Sequence, residues 1–317
     1  MTAAIERFRH EALLYSGNQS FVAGCVPFIR DGLDAGEPVL VVESAGHIEL
    51  LRAALGADAE QVRWADMNAV GANPARIIPA WQDFVAEHGG DGKRLRGIGE
   101  PISNERSADE LIECQRHESL LNVAFGKGPA WWLLCPYDSK SLPASVIDEA
   151  RRSHEYVTEL SGSTGVSDSF RGHDACGATF DTALPEPNAL RAVLQFDRDN
   201  LLSVRRLVTR QALAIGLAAK RATDLATAVN EVATNSIVHG GGNGTLRVWR
   251  EPGALICDVR DGGVYRSPLG DRTKPGPGLR ESRGLWLANQ LCDLVQIRDV
   301  GEGTVVRLHM RLAGQPT

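Results

Sequence analysis

Hydrophobic positions in the first half of the chain form short apolar runs that alternate with stretches of helical spacing. The apolar runs lie at residues 11–15, 36–44, around 64, 95–98 and 129–138. The stretches of helical spacing lie between them, at residues 21–33, 47–55, 75–87 and 109–124. Buried strands that alternate with helices of this length predict βαβ units around a parallel sheet.

The second half has a different pattern and follows a segment without periodicity. Residues 161–190 are rich in Ser, Gly, Thr and Pro, which predicts a linker. Beyond it the pattern predicts two amphipathic helices, two paired strands, a Gly/Pro-rich loop, a third helix and two final strands, at residues 197–216, 222–239, 245–251, 254–263, 267–283, 284–294, 295–300 and 304–312. Helices followed by a mostly antiparallel sheet predict an α/β sandwich. We therefore expect one domain at 1–160 and another at 191–317.

Composition and charge exclude several classes of protein. The 317 residues are 43% hydrophobic and 23% charged, which is typical of a globular chain with about two domains. No apolar run approaches the roughly 18 residues that span a membrane, and the N-terminus lacks the apolar stretch of an export signal, so we expect a cytoplasmic protein. With 34 Lys and Arg against 40 Asp and Glu, the net charge of −6 argues against nucleic acid as the main partner.

The six cysteines stand far apart along the chain, and no two of them form a Cys-x-x-Cys pair. They are Cys25, Cys114, Cys135, Cys176, Cys257 and Cys292. This spacing indicates neither a zinc site nor a thioredoxin-type motif. We therefore expect reduced and mostly buried thiols.

Two segments of the second half carry polar side chains suited to a nucleotide. Glu231 and Asn235 are four residues apart on one predicted helix and therefore share a face. A carboxylate beside a carboxamide can hold a hydrated Mg²⁺ and orient an attacking hydroxyl. Asp261 ends a predicted strand before Gly262 and Gly263, where it can accept a hydrogen bond from an amine such as that of adenine. Alone, each group also fits an ordinary helix face or turn.

Two further segments lie beside the last predicted helix. Arg283-Gly284-Leu285 opens this helix, where free backbone N–H groups and the helix dipole favour a phosphate. A solvated loop is the alternative interpretation of that segment. Gly303 and Thr304 lie between the last two predicted strands, which by itself indicates a hairpin turn.

In combination and in this order, the four segments resemble the GHKL superfamily of gyrases, heat-shock chaperones, histidine kinases and mismatch-repair ATPases. The matching positions are Glu231 and Asn235 in its N box, Asp261-Gly262-Gly263 in its first glycine box, Arg283-Gly284-Leu285 in its second, and Gly303-Thr304 in its last. The helix sequence NEVATNSIVHG and the segment RGLWLANQLCD resemble those of the anti-sigma-factor serine kinases. The resemblance covers about residues 190 to 314 and implies a GHKL (Bergerat) α/β sandwich.

The resemblance implies a role for each matched residue. Glu231 is expected to be the catalytic general base, Asn235 the Mg²⁺ ligand and Asp261 the residue that recognises adenine of ATP. Further residues expected to bind this cofactor are Gly263, Arg283, Gly284, Leu285 and Thr304. Tyr265 stands where the family usually has the second glycine of its first glycine box, so we expect a different lid geometry or nucleotide affinity.

The first half has no GxxxxGK[ST] sequence, so a phosphate-binding loop with its lysine is not expected there. Four of its segments carry a resemblance to a known family, at residues 10–42, 96–101, 113–122 and 133–157. They resemble the MEDS domain, a RecA- or KaiC-like sensory module of bacterial regulators, over about residues 8 to 157. The resemblance implies a parallel-sheet sensor domain for a ligand that the sequence does not identify.

His117, which precedes Glu118 on a predicted helix, also resembles the phospho-accepting histidine of histidine kinases. That alternative requires a dimerising helical hairpin immediately before the ATP-binding domain. The predicted helix lies within the α/β half instead, and the MEDS resemblance already accounts for its sequence. We therefore expect a solvated or structurally bonded histidine at this position.

Together the resemblances imply a bacterial anti-sigma factor with a sensory domain, active in transcription regulation and stress response. They imply that it uses ATP and Mg²⁺ to phosphorylate a serine or threonine of an anti-anti-sigma (STAS-type) protein. They also imply a sigma factor as a second partner, a homodimer, and no direct contact with nucleic acid or membrane. Two alternatives stay open: a protein like a sensor histidine kinase, and a module that binds ATP and sequesters its partner without phosphotransfer.

Overall fold

The computed structural model describes residues 7–90, 92–173, 180, 182–265, 267–275, 283–299 and 301–312. The chain divides into two compact units, Met1–Cys176 and Gly177–Thr317. Each unit contains its own β-sheet. Among the described residues, no helix combines the length and the apolar character needed to cross a membrane.

The first unit contains a mainly parallel sheet. Its strands are β1 (Arg9–Tyr15), β2 (Val39–Glu43), β3 (Arg63–Asp66), β4 (Leu95–Gly99), β5 (Trp131–Asp138), β6 (Tyr156–Thr158) and β7 (Thr164–Val166). They form a seven-stranded sheet in the order β3-β2-β4-β5-β1-β6-β7. Only the pairing of β7 with β6 is antiparallel. The predicted parallel-sheet domain is confirmed, and β7 adds residues from the segment predicted as a linker.

Helices cover both faces of this sheet. They are α1 (Gly17–Asp34), α2 (Ala45–Leu55), α3 (Met67–Val70), α4 (Ile77–His88), α5 (Ala108–Phe125) and α6 (Ala144–Ser153), with short 3₁₀ turns at Gly56–Gln61 and Pro74–Arg76. The helices α1 and α2 share a hydrophobic core with Leu13 and Leu134. On the opposite face, Trp81 of α4 lies against Trp131 of β5, with ring centroids 5.6 Å apart. Cover on both faces explains why every residue of β2 and β4 is buried.

The second unit is an antiparallel sheet with helices packed on one face. Its strands are β8 (Ala192–Asp197), β9 (Asn243–Glu251), β10 (Ala254–Asp261), β11 (Leu294–Asp299) and β12 (Thr304–Arg311), and its helices are α7 (Leu201–Ala214), α8 (Ala219–His239) and α9 (Arg283–Leu291). The five strands lie in the order β11-β12-β10-β9-β8, and every neighbouring pair is antiparallel. The predicted α/β sandwich is confirmed.

The hydrophobic stripe of α8 sets the rotation of this helix on the sheet. Its buried residues follow helical spacing and include Ala222, Leu225, Val229 and Val232. They belong to one core together with side chains of β9, β10 and β12. Since the stripe faces the sheet, the neighbouring side chains of Glu231 and Asn235 are only half-buried, at the edge of the core.

Candidate functional site

A cavity of about 430 Å³ opens in the second unit beside α8, the end of β10 and the first turn of α9. Its lining includes five of the residues predicted for a nucleotide site, which are Asn235, Asp261, Gly263, Leu285 and Thr304. These residues come from four separate segments of the chain, so folding brings five of the eight predicted residues together at one cavity. Glu231, Arg283 and Gly284 are not among its lining residues.

Two hydrogen bonds hold the carboxylate of Asp261 beside this cavity. The hydroxyl of Ser236 on α8 donates to Oδ2 over 2.6 Å. The backbone N–H of Gly263 donates to Oδ1 over 2.8 Å. Because an ionised carboxylate can accept more than two hydrogen bonds, Asp261 is a fixed acceptor with capacity for one more donor.

Three glycines leave the backbone around Asp261 free of side chains. A Cβ at Gly240 would lie 2.4 Å from the carboxyl carbon of Asp261, and one at Gly263 would lie 2.9 Å from its Oδ1. Gly303 has a φ of +149°, and a Cβ there would lie 1.9 Å from the carbonyl oxygen of Asp261. Thr304 closes this end of the cavity by donating from Oγ1 to the carbonyl oxygen of Gly263 over 2.9 Å. Only glycine fits at these three positions.

The start of α9 packs against the face of α8 that carries Glu231 and Asn235. A Cβ at Gly284 would lie 3.1 Å from Nδ2 of Asn235 and 3.4 Å from Cβ of Glu231. The absence of a side chain at Gly284 therefore sets the close approach of the two helices. As a result, the predicted phosphate-binding segment lies next to the predicted metal ligand and general base, with Arg283 exposed and Leu285 lining the cavity.

Tyr265, which replaces a glycine of the GHKL pattern, fastens the segment after β10. Its hydroxyl donates to Oδ1 of Asp271 over 2.9 Å. Asn289 of α9 donates from Nδ2 to the carbonyl oxygen and to Oδ2 of the same Asp271, over 3.0 and 3.2 Å. The segment is thus tied to α9 through a buried carboxylate. The remainder of the predicted Gly/Pro-rich loop, residues 276–282, lies outside the described residues.

The cavity fits a magnesium-bound adenine nucleotide by shape and by donor set. Its volume falls within the roughly 300–1,000 Å³ of small-molecule sites. Asp261 supplies a fixed acceptor for an amine, and the bare backbone at Gly240 and Gly263 lets a flat ring approach closely. At the other end, the first turn of α9 can bind phosphate, and the carboxamide of Asn235 can bind Mg²⁺ through oxygen.

Sequence reasoning did not single out four residues of this site. Ser236 and Gly240 belong to the same helix and its C-cap as Glu231 and Asn235, so their proximity in sequence could have revealed them. Asp271 and Asn289 give no such signal. Their contact is with each other and with Tyr265, across segments whose proximity depends on the fold.

A second cavity, of about 260 Å³, lies in the first unit at the carboxyl ends of its parallel strands. Tyr15 ends β1, Glu43 ends β2 and Glu100 follows β4. Nδ1 of His47 lies 3.0 Å from Oε2 of Glu100 and 3.3 Å from Oε2 of Glu43, and the Tyr15 hydroxyl donates to Glu100 over 2.7 Å. Ligands of open α/β sheets bind at this edge, so the cavity is the candidate ligand site of the first unit.

The charges of this cluster follow from its burial. Burial and the neighbouring Glu100 raise the pKa of Glu43 to about 8. Burial by itself lowers the pKa of His47, but hydrogen bonds to Glu100 and Glu43 outweigh it and raise that pKa to about 10. At neutral pH the cluster therefore holds an imidazolium of His47 between the two glutamates, with Glu43 mostly protonated.

A segment of each unit matches the model of a known family. Residues 9–155 match the model of MEDS, the MEthanogen/methylotroph, DcmR Sensory domain. Residues 194–310 match the model of the histidine kinase-like ATPase domain. No curated protein matches the chain. The two resemblances read from the sequence, and their order along the chain, are thereby confirmed.

Proposed function

We propose that this chain, which joins a MEDS domain to a histidine kinase-like ATPase domain, is a cytoplasmic anti-sigma factor that phosphorylates a protein partner with Mg-ATP. The contact of Gly284 with Asn235 and Glu231 gives the strongest support, because it joins the start of α9 to both polar side chains of α8. The proximity of these three residues supports a proposal in which the start of α9 binds phosphate, Asn235 binds the metal and Glu231 is the base.

Each residue has a distinct task in this proposal. Asp261 accepts a hydrogen bond from the exocyclic amine of adenine, and the first turn of α9 binds phosphate oxygens. Asn235 holds Mg²⁺, which neutralises charge on the phosphates. Glu231 accepts the proton of the partner's serine or threonine hydroxyl while the hydroxyl oxygen attacks the γ-phosphorus. The bond from that phosphorus to the β–γ bridging oxygen breaks, and ADP leaves.

The proposed partners are proteins. One is a sigma factor, which this chain sequesters. The other is a STAS-type anti-anti-sigma protein, which this chain phosphorylates. In this proposal the chain acts as a homodimer. The negative net charge favours protein partners over nucleic acid. We assign recognition of the signal to the cavity at Glu43, His47 and Glu100, because it opens at the edge of the sheet where ligands bind.

The decisive experiment is phosphotransfer from labelled ATP with the purified full chain, Mg²⁺ and candidate STAS-type proteins. We expect an acid-stable phosphoserine or phosphothreonine on the partner with the wild-type chain and a strongly reduced rate with Glu231→Gln. An acid-labile phosphate on the chain itself would support the histidine kinase alternative. ATP-dependent binding of a partner without any transfer would support the non-catalytic module.

The structure favours the protein kinase over the histidine kinase alternative. His117 lies on α5 in the interior of the first unit, with 1% of its surface exposed. A phosphoacceptor must reach the γ-phosphate of a nucleotide held elsewhere, so a histidine in this position would first require opening of the domain. Of the two interpretations left open by the sequence, a solvated or a structurally bonded histidine, its burial favours the second.

A further inference from the structure

Four side chains with metal-binding atoms meet in the interior of the first unit. His10 lies on β1, Glu118 on α5, Cys135 on β5 and His154 directly after α6. Each is at most 2% exposed, and one ligand atom from each lies within 4.8 Å of the other three. None of the four lines either of the cavities described above. We refer to them as the His₂GluCys cluster.

The fold assembles this cluster through strand register and helix spacing. His10 of β1 is opposite Leu133 of β5, and Cys135 lies two residues further along, on the same face of the sheet. Glu118 and Asn122 are four residues apart on α5 and both contact His10.

Acceptor oxygens face Nδ1 of both imidazoles. Asn122 donates from Nδ2 to the carbonyl oxygen of Ser153 over 2.8 Å, which leaves its Oδ1 facing Nδ1 of His10 at 3.1 Å. Nδ1 of His154 lies 2.8 Å from the carbonyl oxygen of Ala150. Since both partners are acceptors, the tautomer protonated on Nδ1 donates to each of them, and this is the tautomer that a metal ion bound at Nε2 requires. Each Nε2 of a neutral ring is then left with a lone pair.

Both lone pairs face the same carboxylate oxygen. Nε2 of His10 lies 3.2 Å and Nε2 of His154 3.3 Å from Oε2 of Glu118, and Sγ of Cys135 lies 3.4 Å from Nε2 of His10. Within the described part of the chain, Nε2 of His154 and Oε1 of Glu118 make no hydrogen bond. In this tautomer the weak S–H group of Cys135 is the one donor among the four ligand groups. Acceptor atoms that converge in a buried site with so little donation are costly, and a cation between them removes that cost.

We propose that the His₂GluCys cluster binds a divalent transition-metal ion, with Zn²⁺ as the best match. Tetrahedral zinc with bonds of about 2.0–2.3 Å separates its ligand atoms by about 3.3–3.7 Å. The three separations of 3.2, 3.3 and 3.4 Å are close to these values. A carboxylate and a thiolate with two neutral imidazoles balance the charge of the ion. The Nδ1–H bonds to carbonyl oxygens are the outer contacts that metal-binding histidines usually make.

An imidazole that donates from Nδ1 presents Nε2 to the ion as a neutral ligand. The Cys135 side chain starts as a thiol and binds the ion as a thiolate. When the metal–sulfur bond forms, the S–H bond breaks and this proton passes to the solvent. Because four protein atoms complete the coordination, the ion is structural and joins β1, β5, α5 and the end of α6.

The other histidine–carboxylate cluster of this unit provides a contrast. In that cluster the raised pKa of His47 means that its own proton lies between Glu43 and Glu100. The ring lies within hydrogen-bond distance of both glutamates, and the carboxylate of Glu100 matches the charge of the imidazolium. The His₂GluCys cluster differs because, with both imidazoles protonated on Nδ1, only the weak S–H donor of Cys135 lies where its acceptors meet.

The test is titration of the metal-stripped full chain with Co²⁺ and Zn²⁺, followed by absorption and calorimetry. We expect one ion per chain, the strong visible bands of tetrahedral Co²⁺, a thiolate-to-cobalt charge-transfer band and release of one proton. Cys135→Ser should lose the charge-transfer band and the proton. It should also weaken Zn²⁺ binding by more than the roughly 10–100-fold that loss of an outer contact costs. The matched control is Cys114→Ser, since the Cys114 thiol is equally buried but faces the carbonyl oxygen of Pro101 at 3.4 Å.

Three results would overturn the proposal. The first is a wild-type chain that binds neither ion after stripping. The second is an unchanged charge-transfer band in Cys135→Ser, and the third is a wild-type unfolding temperature that Zn²⁺ does not raise. If Cys135→Ser fails to fold, the wild-type titration still decides, because a divalent ion at the predicted nucleotide site would give neither the thiolate band nor the proton.

Discussion

Replacing Asp261 with Asn tests how the second unit recognises its nucleotide. In the wild-type chain both carboxylate oxygens accept, one from Ser236 and one from the N–H of Gly263. In the variant, the amide oxygen can keep the bond from Gly263 while the new NH₂ faces Ser236. The Ser236 hydroxyl can then accept from the NH₂, because its own proton can turn to the carbonyl oxygen of Val232, 3.2 Å away. The fold should therefore survive the change.

The substitution should instead weaken the binding of the nucleotide. The amide offers a donor on the side where the adenine amine needs an acceptor, and an unmatched buried polar pair costs about 1–3 kcal/mol. That corresponds to a rise of about 5–150-fold in the Kd of ATP. Because guanine presents an acceptor where adenine presents its amine, the preference for ATP over GTP should shrink in the variant.

Calorimetric titration of the full chain with Mg-ATP and Mg-GTP measures both effects. Glu302→Gln, which removes the same charge from an exposed turn of this unit, is the control and should bind both nucleotides like the wild type. An Asp261→Asn chain with a wild-type Kd for ATP and an unchanged ATP-to-GTP ratio would refute the assignment of Asp261. It would also remove the main basis for placing adenine in this cavity.

Four further predictions follow from the two units. Glu231→Gln should bind ATP like the wild type but slow phosphotransfer by roughly 10²–10⁴-fold in a single-turnover assay. EDTA should weaken ATP binding in calorimetry, because Asn235 is expected to reach phosphate through Mg²⁺. Tyr265→Phe should lower the free energy of unfolding by about 1 kcal/mol in urea, since it removes the hydrogen bond to Asp271. The folded-state pKa of His47 lies above its value of about 6.5 in an unfolded chain. The contribution of protonated His47 to the free energy of unfolding is therefore complete below about pH 6.5 and is lost as the pH rises towards 10. The thermal unfolding temperature of the wild type should therefore fall over this pH range. His47→Gln should make that fall smaller, whereas His88→Gln should not.

The hydrophobic pattern predicted the elements whose burial is regular and missed those whose burial is not. β2 and β5 are apolar along nearly their whole length because helices cover both faces of the sheet. The edge strand β8 has one buried residue, and β6 and β7 are three residues each, too short for any period to show. In α6, two of the four buried side chains are the polar Glu149 and Ser153, so the helix has little apolar signal.

The candidate nucleotide site was predictable where its residues are neighbours in sequence. Glu231 and Asn235 share a helix face through their spacing, and Asp261 to Gly263 form one strand end with its turn. The relative positions of residues this close in sequence are set by the helix or strand that contains them, so the sequence alone predicts them. It could not show that Gly284 meets Asn235, since that contact depends on how α9 packs on α8.

Local patterns along the chain were enough to predict the two fold classes, their order and the residue types of the candidate nucleotide site. Which distant polar groups meet depends on the packing of the folded chain. The hydroxyl of Tyr265 donates to Asp271, which in turn accepts a hydrogen bond from Asn289 of α9. His10 and His154, far apart along the chain, face one carboxylate of Glu118. Strand order and register place these groups, and because a single polar residue on a buried face leaves no periodic pattern, such contacts become visible only in the folded chain.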